Sequence, residues 1–303
     1  MELKAERHLI KFYFTLIFYN LLLLLFSSLL FFFGFGTNNK FILGGIFLIA
    51  IAISINIGFI KKAPIIILNL NGVFFNNTFF EWSELTDVKL TGKGDMIFTS
   101  GECTTLFFNN TRIQLFDDFY SNISEIKMFI QENVIDRKTS PETSIPSITI
   151  DINQELFIPY KGNPLLSLEG FCMWIFTLFF LFFPLFVKKT TNQNVIIFTT
   201  GFAILIFFLF SRMMNYFEIS NNFFVVKNHH FFWKNEIYSI SNIREIVFER
   251  HHKQPILLRL ITKDFNTKTY LAASLNYSNW LEMKSELEKY NVSVRNECIP
   301  EKH

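Results

Sequence analysis

Charge is scarce in this chain of 303 residues. Only 18% of it is Asp, Glu, Lys or Arg, against roughly 25% in an ordinary soluble domain. The net charge of +2 is close to neutral, so there is no basic excess to hold a polyanion, and nucleic acid is not expected as a partner. Cysteine is scarcer still. Cys103, Cys172 and Cys298 are odd in number, lie far apart and form no C-x-x-C. That argues against a disulfide framework and a cysteine zinc site, and it fits soluble parts in a reducing compartment. Catalytic signatures are missing as well: there is no P-loop, no G-x-S-x-G and no H-E-x-x-H. Gly92-Lys93-Gly94-Asp95 places a Lys between glycines but lacks the spacing and following helix of a phosphate cradle. It reads as a hairpin tip. No catalytic residue, metal or cofactor is expected, and the chain does not read as an enzyme.

Apolar residues, by contrast, make up half the chain, and Phe alone occurs 41 times. Phe12–Gly36 is almost wholly apolar, broken by Asn20 and Ser27-Ser28, and Phe41–Ile60 carries no charge. A helix needs about 20 apolar residues to cross a hydrocarbon core of about 30 Å, and both runs qualify. Thr37-Asn38-Asn39-Lys40 between them reads as a tight polar turn, so the pair forms a helical hairpin. The first run is too long for a signal peptide and has no cleavage site after it. A second pair follows: Gly170–Val187, with Pro184 near its end, and Val195–Phe210, joined by the polar turn Lys188–Asn194. These runs are short for spanning, and a re-entrant or interfacial pair is the competing reading.

Lys and Arg near the helix ends set the orientation. Lys4, Arg7, Lys11 and Lys61-Lys62 flank the first hairpin, whose turn holds only Lys40. The N-terminus and residues 61–165 are therefore expected in the cytoplasm, with Arg137, Lys138, Lys161 and Arg212 in agreement. Lys188-Lys189 in the second turn run against this.

The two halves echo each other. Tyr120-Ser121-Asn122-Ile123-Ser124-Glu125-Ile126-Lys127 and Tyr277-Ser278-Asn279-Trp280-Leu281-Glu282-Met283-Lys284 share five identities at an offset of 277 − 120 = 157. The same shift carries the first hairpin onto the second. In this segment Asn122 and Asn279 are candidate N-caps, with Glu125 and Glu282 three residues on. Ile123, Ile126 and Ile130 fall on one helix face, as do Trp280, Met283 and Leu287. Each half is thus expected to end in an amphipathic helix packed on its own sheet.

Short strand-like runs precede each helix. In the first domain they are 65–70, 73–75, 79–82, 87–90, 96–99, 105–108 and 112–115, broken at Asn71-Gly72, Asn76-Asn77, Gly92–Asp95, Gly101 and Asn109-Asn110. In the second they are 216–219, 223–227, 231–234, 236–240, 245–250, 256–262 and 268–271. Strands this short with one closing helix describe a small antiparallel barrel or sandwich. The joining segment 137–165 is loop-like, and Ile148–Ile152 could add an edge strand.

The aromatic opening strand Tyr216-Phe217-Glu218-Ile219, the hairpin strand Phe223–Lys227, the I-x-x-I-x-x-I/V entry at Ile240–Phe248 and the helix after Asn279 together resemble a family. They are similar to the bacterial pleckstrin-homology-like domains that accompany pairs of membrane helices. Residues 167–292 carry the resemblance; the first half, with Trp82–Val88 at the equivalent entry, matches less well. The pattern is apolar spacing, so it speaks to fold more than to function. The resemblance implies a binding or scaffolding module at the inner membrane surface.

Two His pairs, His229-His230 and His251-His252, fall at expected turns. Adjacent histidines in a strand point to opposite faces and no Cys is near, so a metal site is not expected. Arg250-His251-His252-Lys253 is a basic cluster on a domain tethered to a bilayer, and Lys227, Lys234, Arg259 and Lys263 could extend it into a face for anionic headgroups. The ordinary alternative is a solvated turn balanced by Glu245 and Glu249.

The expected fold is membrane α + β: transmembrane hairpin (1–61), pleckstrin-homology-like domain (62–136), linker (137–165), second hairpin (166–214) and second domain (215–303). Each domain follows its hairpin and is capped by a C-terminal helix. The expected role is a non-enzymatic, multi-pass inner-membrane protein whose cytoplasmic domains bind or scaffold a protein partner, with membrane lipids as its other partner and a homo-oligomer allowed. The alternatives are a sensor of the anionic lipid surface and a membrane immunity protein that neutralises a toxin. Candidate lipid- or partner-binding residues are Arg250, His251, His252, Lys253, Lys227 and Lys234.

Overall fold

A computed structural model describes residues 2–35, 39–76, 78–96, 100–109, 111–136, 152, 155–186, 193–251 and 253–300. The chain divides into two compact units, Met1–Thr143 and Ser144–His303.

The first unit opens with a strand, β1 (Glu2–Lys4), and a π-helical stretch, Leu9–Phe14, that runs into α1 (Thr15–Gly34); α2 (Asn39–Lys62) follows. The stretch Leu9–Gly34 and α2 are each long and apolar enough to cross a membrane, and little of either is buried within the chain. The two helices pack through small and amide side chains. Ser27 Oγ donates to the Gly45 carbonyl at 3.0 Å, and Asn56 Nδ2 donates to Asn20 Oδ1 at 2.7 Å. A Cβ on Gly45 would stand 3.0 Å from the Phe31 ring. Glycine permits this approach, as small residues do between helices in lipid, where apolar contact alone gives little drive to associate.

After the helices come β2 (Ile66–Asn69), β3 (Gly72–Phe75) and β4 (Thr78–Glu81), and β2 pairs antiparallel with β1, Leu3 opposite Leu68. The helix pair is therefore set into the connection between the first two strands of a sheet, and does not simply precede the domain as the sequence suggested. A three-residue strand carries no periodicity to reveal this. Arg7 secures the junction by donating from Nε and Nη2 to the Ala63 carbonyl at 3.0 and 2.6 Å.

The second sheet holds β5 (Leu85–Lys89), β6 (Lys93–Asp95), β7 (Ser100–Phe108) and β8 (Thr111–Phe116). The expected hairpin tip at Gly92–Asp95 is corrected: Lys93–Asp95 is a strand, with Gly94 opposite Gly101. A Cβ on Gly94 would lie 2.7 Å from Cys103 Sγ, so glycine is there for close packing and not for a turn. Gly101, expected as a break, likewise continues β7. The expected strand 96–99 is not formed at Met96, and its remaining residues lie outside those described. Then α3 (Ile123–Ile130) closes the unit and buries Ile123, Ile126 and Ile130. Asn122 precedes it without a side-chain cap bond; its amide instead holds the β1 segment through Glu6 N and the Lys4 carbonyl, both at 2.9 Å.

The second unit repeats this plan. Strand β9 (Ile158–Tyr160) precedes α4 (Leu168–Phe186) and α5 (Gln193–Ser211), and pairs antiparallel with β10 (Asn215–Ile219) beyond them. It lies inside the expected linker; the edge strand expected at Ile148–Ile152 falls, apart from Ile152, outside the described residues. α4 is long and apolar enough to span, whereas the apolar stretch Val195–Ser211 is shorter. The first sheet continues through β11 (Phe223–Asn228) and β12 (Asn235–Ser239). The second contains β13 (Ile243–Glu249), β14 (Leu257–Thr262) and β15 (Thr267–Leu271). A β-bulge at Ile243/Glu245 stands where β5 has one at Leu85/Asp87. Finally α6 (Tyr277–Lys289) packs Trp280, Met283 and Leu287 into the core, and β16 (Ser293–Asn296) adds to β13 in parallel. The expected cap Asn279 is corrected to Asn276, whose side chain accepts from Asn279 N at 2.9 Å. α6 therefore begins earlier than α3, by about one turn.

Candidate functional site: a cationic pocket at the root of the second helix pair

The six residues His229–Lys234 join β11 to β12. Asn228 shapes this turn: its Oδ1 accepts from His230 N at 2.9 Å and from Phe231 N at 3.0 Å, an Asx-type turn. Its Nδ2 donates to the Ser211 carbonyl at 2.9 Å, which ties the turn to the end of α5. The inner face of the turn packs on the apolar helices. The His230 ring lies 5.4 Å from Phe207 and 6.4 Å from Trp174, and Phe231 lies 5.1 Å from Phe208.

Behind the turn is a pocket of 360 Å³ lined by Lys161, Lys227, Lys234, His229 and Tyr216, among others. Lys161 follows β9, Lys227 is the next-to-last residue of β11 and Lys234 immediately precedes β12, so the ends of three strands bring their cations to one space. Lys227 Nζ meets Glu218 Oε2 at 2.6 Å. Lys234 Nζ donates to Asn215 Oδ1 at 3.0 Å and lies 5.1 Å from the centre of the Tyr270 ring. Burial pulls the Lys234 ammonium below its ordinary pKa, against the pull of Glu236. Burial, aided by the charges of His230 and Lys161, depresses His229 to about 4, so it is neutral near pH 7. Its Nε2 lies 3.2 Å from Ser274 Oγ. The pocket therefore presents ammonium groups and a neutral imidazole, a set suited to an anionic group and not to a cation.

The expected residues divide between places. Lys227 and Lys234 share this pocket, while Arg250 lines a different depression, together with Glu169 and Tyr277. There the Arg250 Nη1 donates to the Tyr277 hydroxyl at 3.3 Å. His251 Nε2 lies 3.7 Å from Glu249 Oε1, and Lys253 is exposed. His252 lies outside the described residues. Arg259, expected on the basic face, is corrected: it is buried and pairs with Glu249 at 2.8 Å, where its charge cannot reach a surface ligand. Among the described residues, no three His, Cys, Asp or Glu side chains converge as a metal site would need. Sequence reasoning missed the part played here by Lys161, His229 and Tyr216. The available signal was Phe231-Phe232-Trp233-Lys234, an aromatic run beside a cation, which is the composition favoured at membrane interfaces.

Compared with protein-family models and with curated proteins, the chain matches none.

Proposed function

We propose that this chain is a non-enzymatic, multi-pass inner-membrane protein. It arose by duplication of one unit, a transmembrane hairpin set into a pleckstrin-homology-like domain, and both domains work at the cytoplasmic surface. Three helices of spanning length and composition support the membrane part. The common strand plan and the matching bulges support the duplication. On this reading the domains are binding modules, and the second binds the phosphate of anionic lipid headgroups while it scaffolds a protein partner. The observation that carries it is the convergence of Lys161, Lys227 and Lys234 in one pocket at the end of an apolar helix.

The test uses the full chain in nanodiscs of phosphatidylcholine, with or without phosphatidylglycerol, and measures lipid retained on extraction. Each lysine near the surface contributes about 1 kcal/mol toward anionic lipid, so Lys227→Gln with Lys234→Gln should weaken enrichment about thirtyfold. Equal retention of both lipids by the wild type, or no loss in the double variant, removes the lipid reading.

A further inference from the structure

The turn that forms the outer wall of the pocket has a second feature. Its inner residues, His230 and Phe231, are packed against α4 and α5. Its outer residues, Phe232 and Trp233, remain 87% and 66% exposed. Among the described residues after α5, four large apolar side chains are exposed: Phe232, Trp233, Ile237 and Tyr277. Three of these stand at the root of the helix pair, Tyr277 beside Glu169 in the first turn of α4. On the chain entering α4, Leu165 and Leu166 are 56% and 83% exposed. The exposed apolar surface is thus continuous with the apolar faces of the helices themselves.

We infer that Phe232 and Trp233, with Leu165 and Leu166, form a collar that inserts into the interfacial layer of the bilayer. The inference rests on α4 and α5 lying in that bilayer. A loop whose inner face is stacked on the last turns of a membrane helix has its outer face at the same depth, where water is being replaced by headgroups and acyl chains. Aromatic rings gain there by burying their apolar bodies, and Trp also keeps its indole N–H within reach of a polar partner. Lys234, next in the chain, turns back into the pocket, where its Nζ donates to Asn215 Oδ1 at 3.0 Å. The collar also has a consequence for the pocket. Phe232 is one of its lining residues, so insertion of the ring sets the pocket mouth at the level of the lipid phosphates. The second domain is then held against the surface in one orientation and does not tumble on a tether.

Tryptophan quenching tests this with the full chain reconstituted in pure phosphatidylcholine, so that the outcome does not depend on anionic lipid. The lipids carry bromine either near the headgroup end of the acyl chain or near its terminus. In a Trp174→Phe background, bromine near the headgroup end is expected to quench a fluorescence component that vanishes when Trp233→Phe is added. Equal quenching with and without Trp233 overturns the inference, whether water, a second copy or another protein covers that face. The difference between the Trp233→Phe single variant and the double variant isolates Trp174, because Trp82 and Trp280 are common to both, and reports separately on whether α4 lies in lipid. Quenching there with none at Trp233 defeats the collar alone; no quenching at either site defeats the membrane reading as well.

Discussion

Lys127 lies on α3 with its side chain wholly buried, and its Nζ meets Asp117 Oδ2 at 2.7 Å; the Asp117 side chain is only 4% exposed. Lys127→Met would keep the length and most of the volume of the side chain while taking the cation away from a carboxylate that water cannot reach. Removing one partner of a buried pair costs about 3–5 kcal/mol, because the remaining charge has lost its compensation. Neutralising the other partner too, with Asp117→Asn, removes the stranded charge and should restore most of that loss. Hydrogen exchange of the full chain in micelles measures this locally, at the amides of β7, β8 and α3. The single variant should lower protection there by roughly two to three and a half powers of ten, and the double variant by clearly less. A single variant within about 1 kcal/mol of wild type, or a double variant no better than the single, would refute the claim that this pair is buried and coupled.

Other consequences are as direct. His229 is held at about 4 against an ordinary 6.5, so on acidification protons bind the unfolded chain first. The stability it contributes is present above about pH 6.5 and is lost as the pH falls toward about 4; His229→Asn should flatten that part of the pH profile of exchange in β10–β12. Trp280 is fully buried, 4.7 Å from Phe248 and 5.8 Å from Phe217. Trp280→Ala should cost about 3–5 kcal/mol. Its indole nitrogen has no hydrogen-bond partner, so Trp280→Phe should cost less than about 2 kcal/mol, and equal destabilisation of α6 by both would contradict this. Asn56→Leu removes the amide bridge between α1 and α2 and should cost about 0.6–2 kcal/mol, read as a lower melting temperature in micelles; an unchanged melting temperature would mean that the bridge adds nothing.

The parts of the fold that were legible are those written in neighbouring residues. Apolar length announced α1, α2 and α4, and the spacing of Ile123, Ile126 and Ile130 announced the buried face of α3. Turn chemistry misled where glycine served packing, as at Gly94, because a glycine needed for close approach looks the same in sequence as one needed for a turn. Capping misled at Asn279 for a related reason. Two asparagines three residues apart can each begin a helix, and only the packing of Trp280 and Met283 decides where α6 starts. Of the candidate site, Lys227 and Lys234 were legible as basic residues. Nothing local showed that Lys161 joins them or that Arg259 turns inward to Glu249.

The sequence alone determined that the chain carries apolar helices of membrane length and amphipathic closing helices. Those properties depend on hydrophobicity summed over a few turns. Tertiary structure alone decided that β1 and β9 close their sheets across an intervening helix pair, and that cations far apart in sequence share one pocket. Strands of three residues have no period to read, and the pairing that selects them is made with backbone groups more than fifty residues away, as between Leu3 and Leu68.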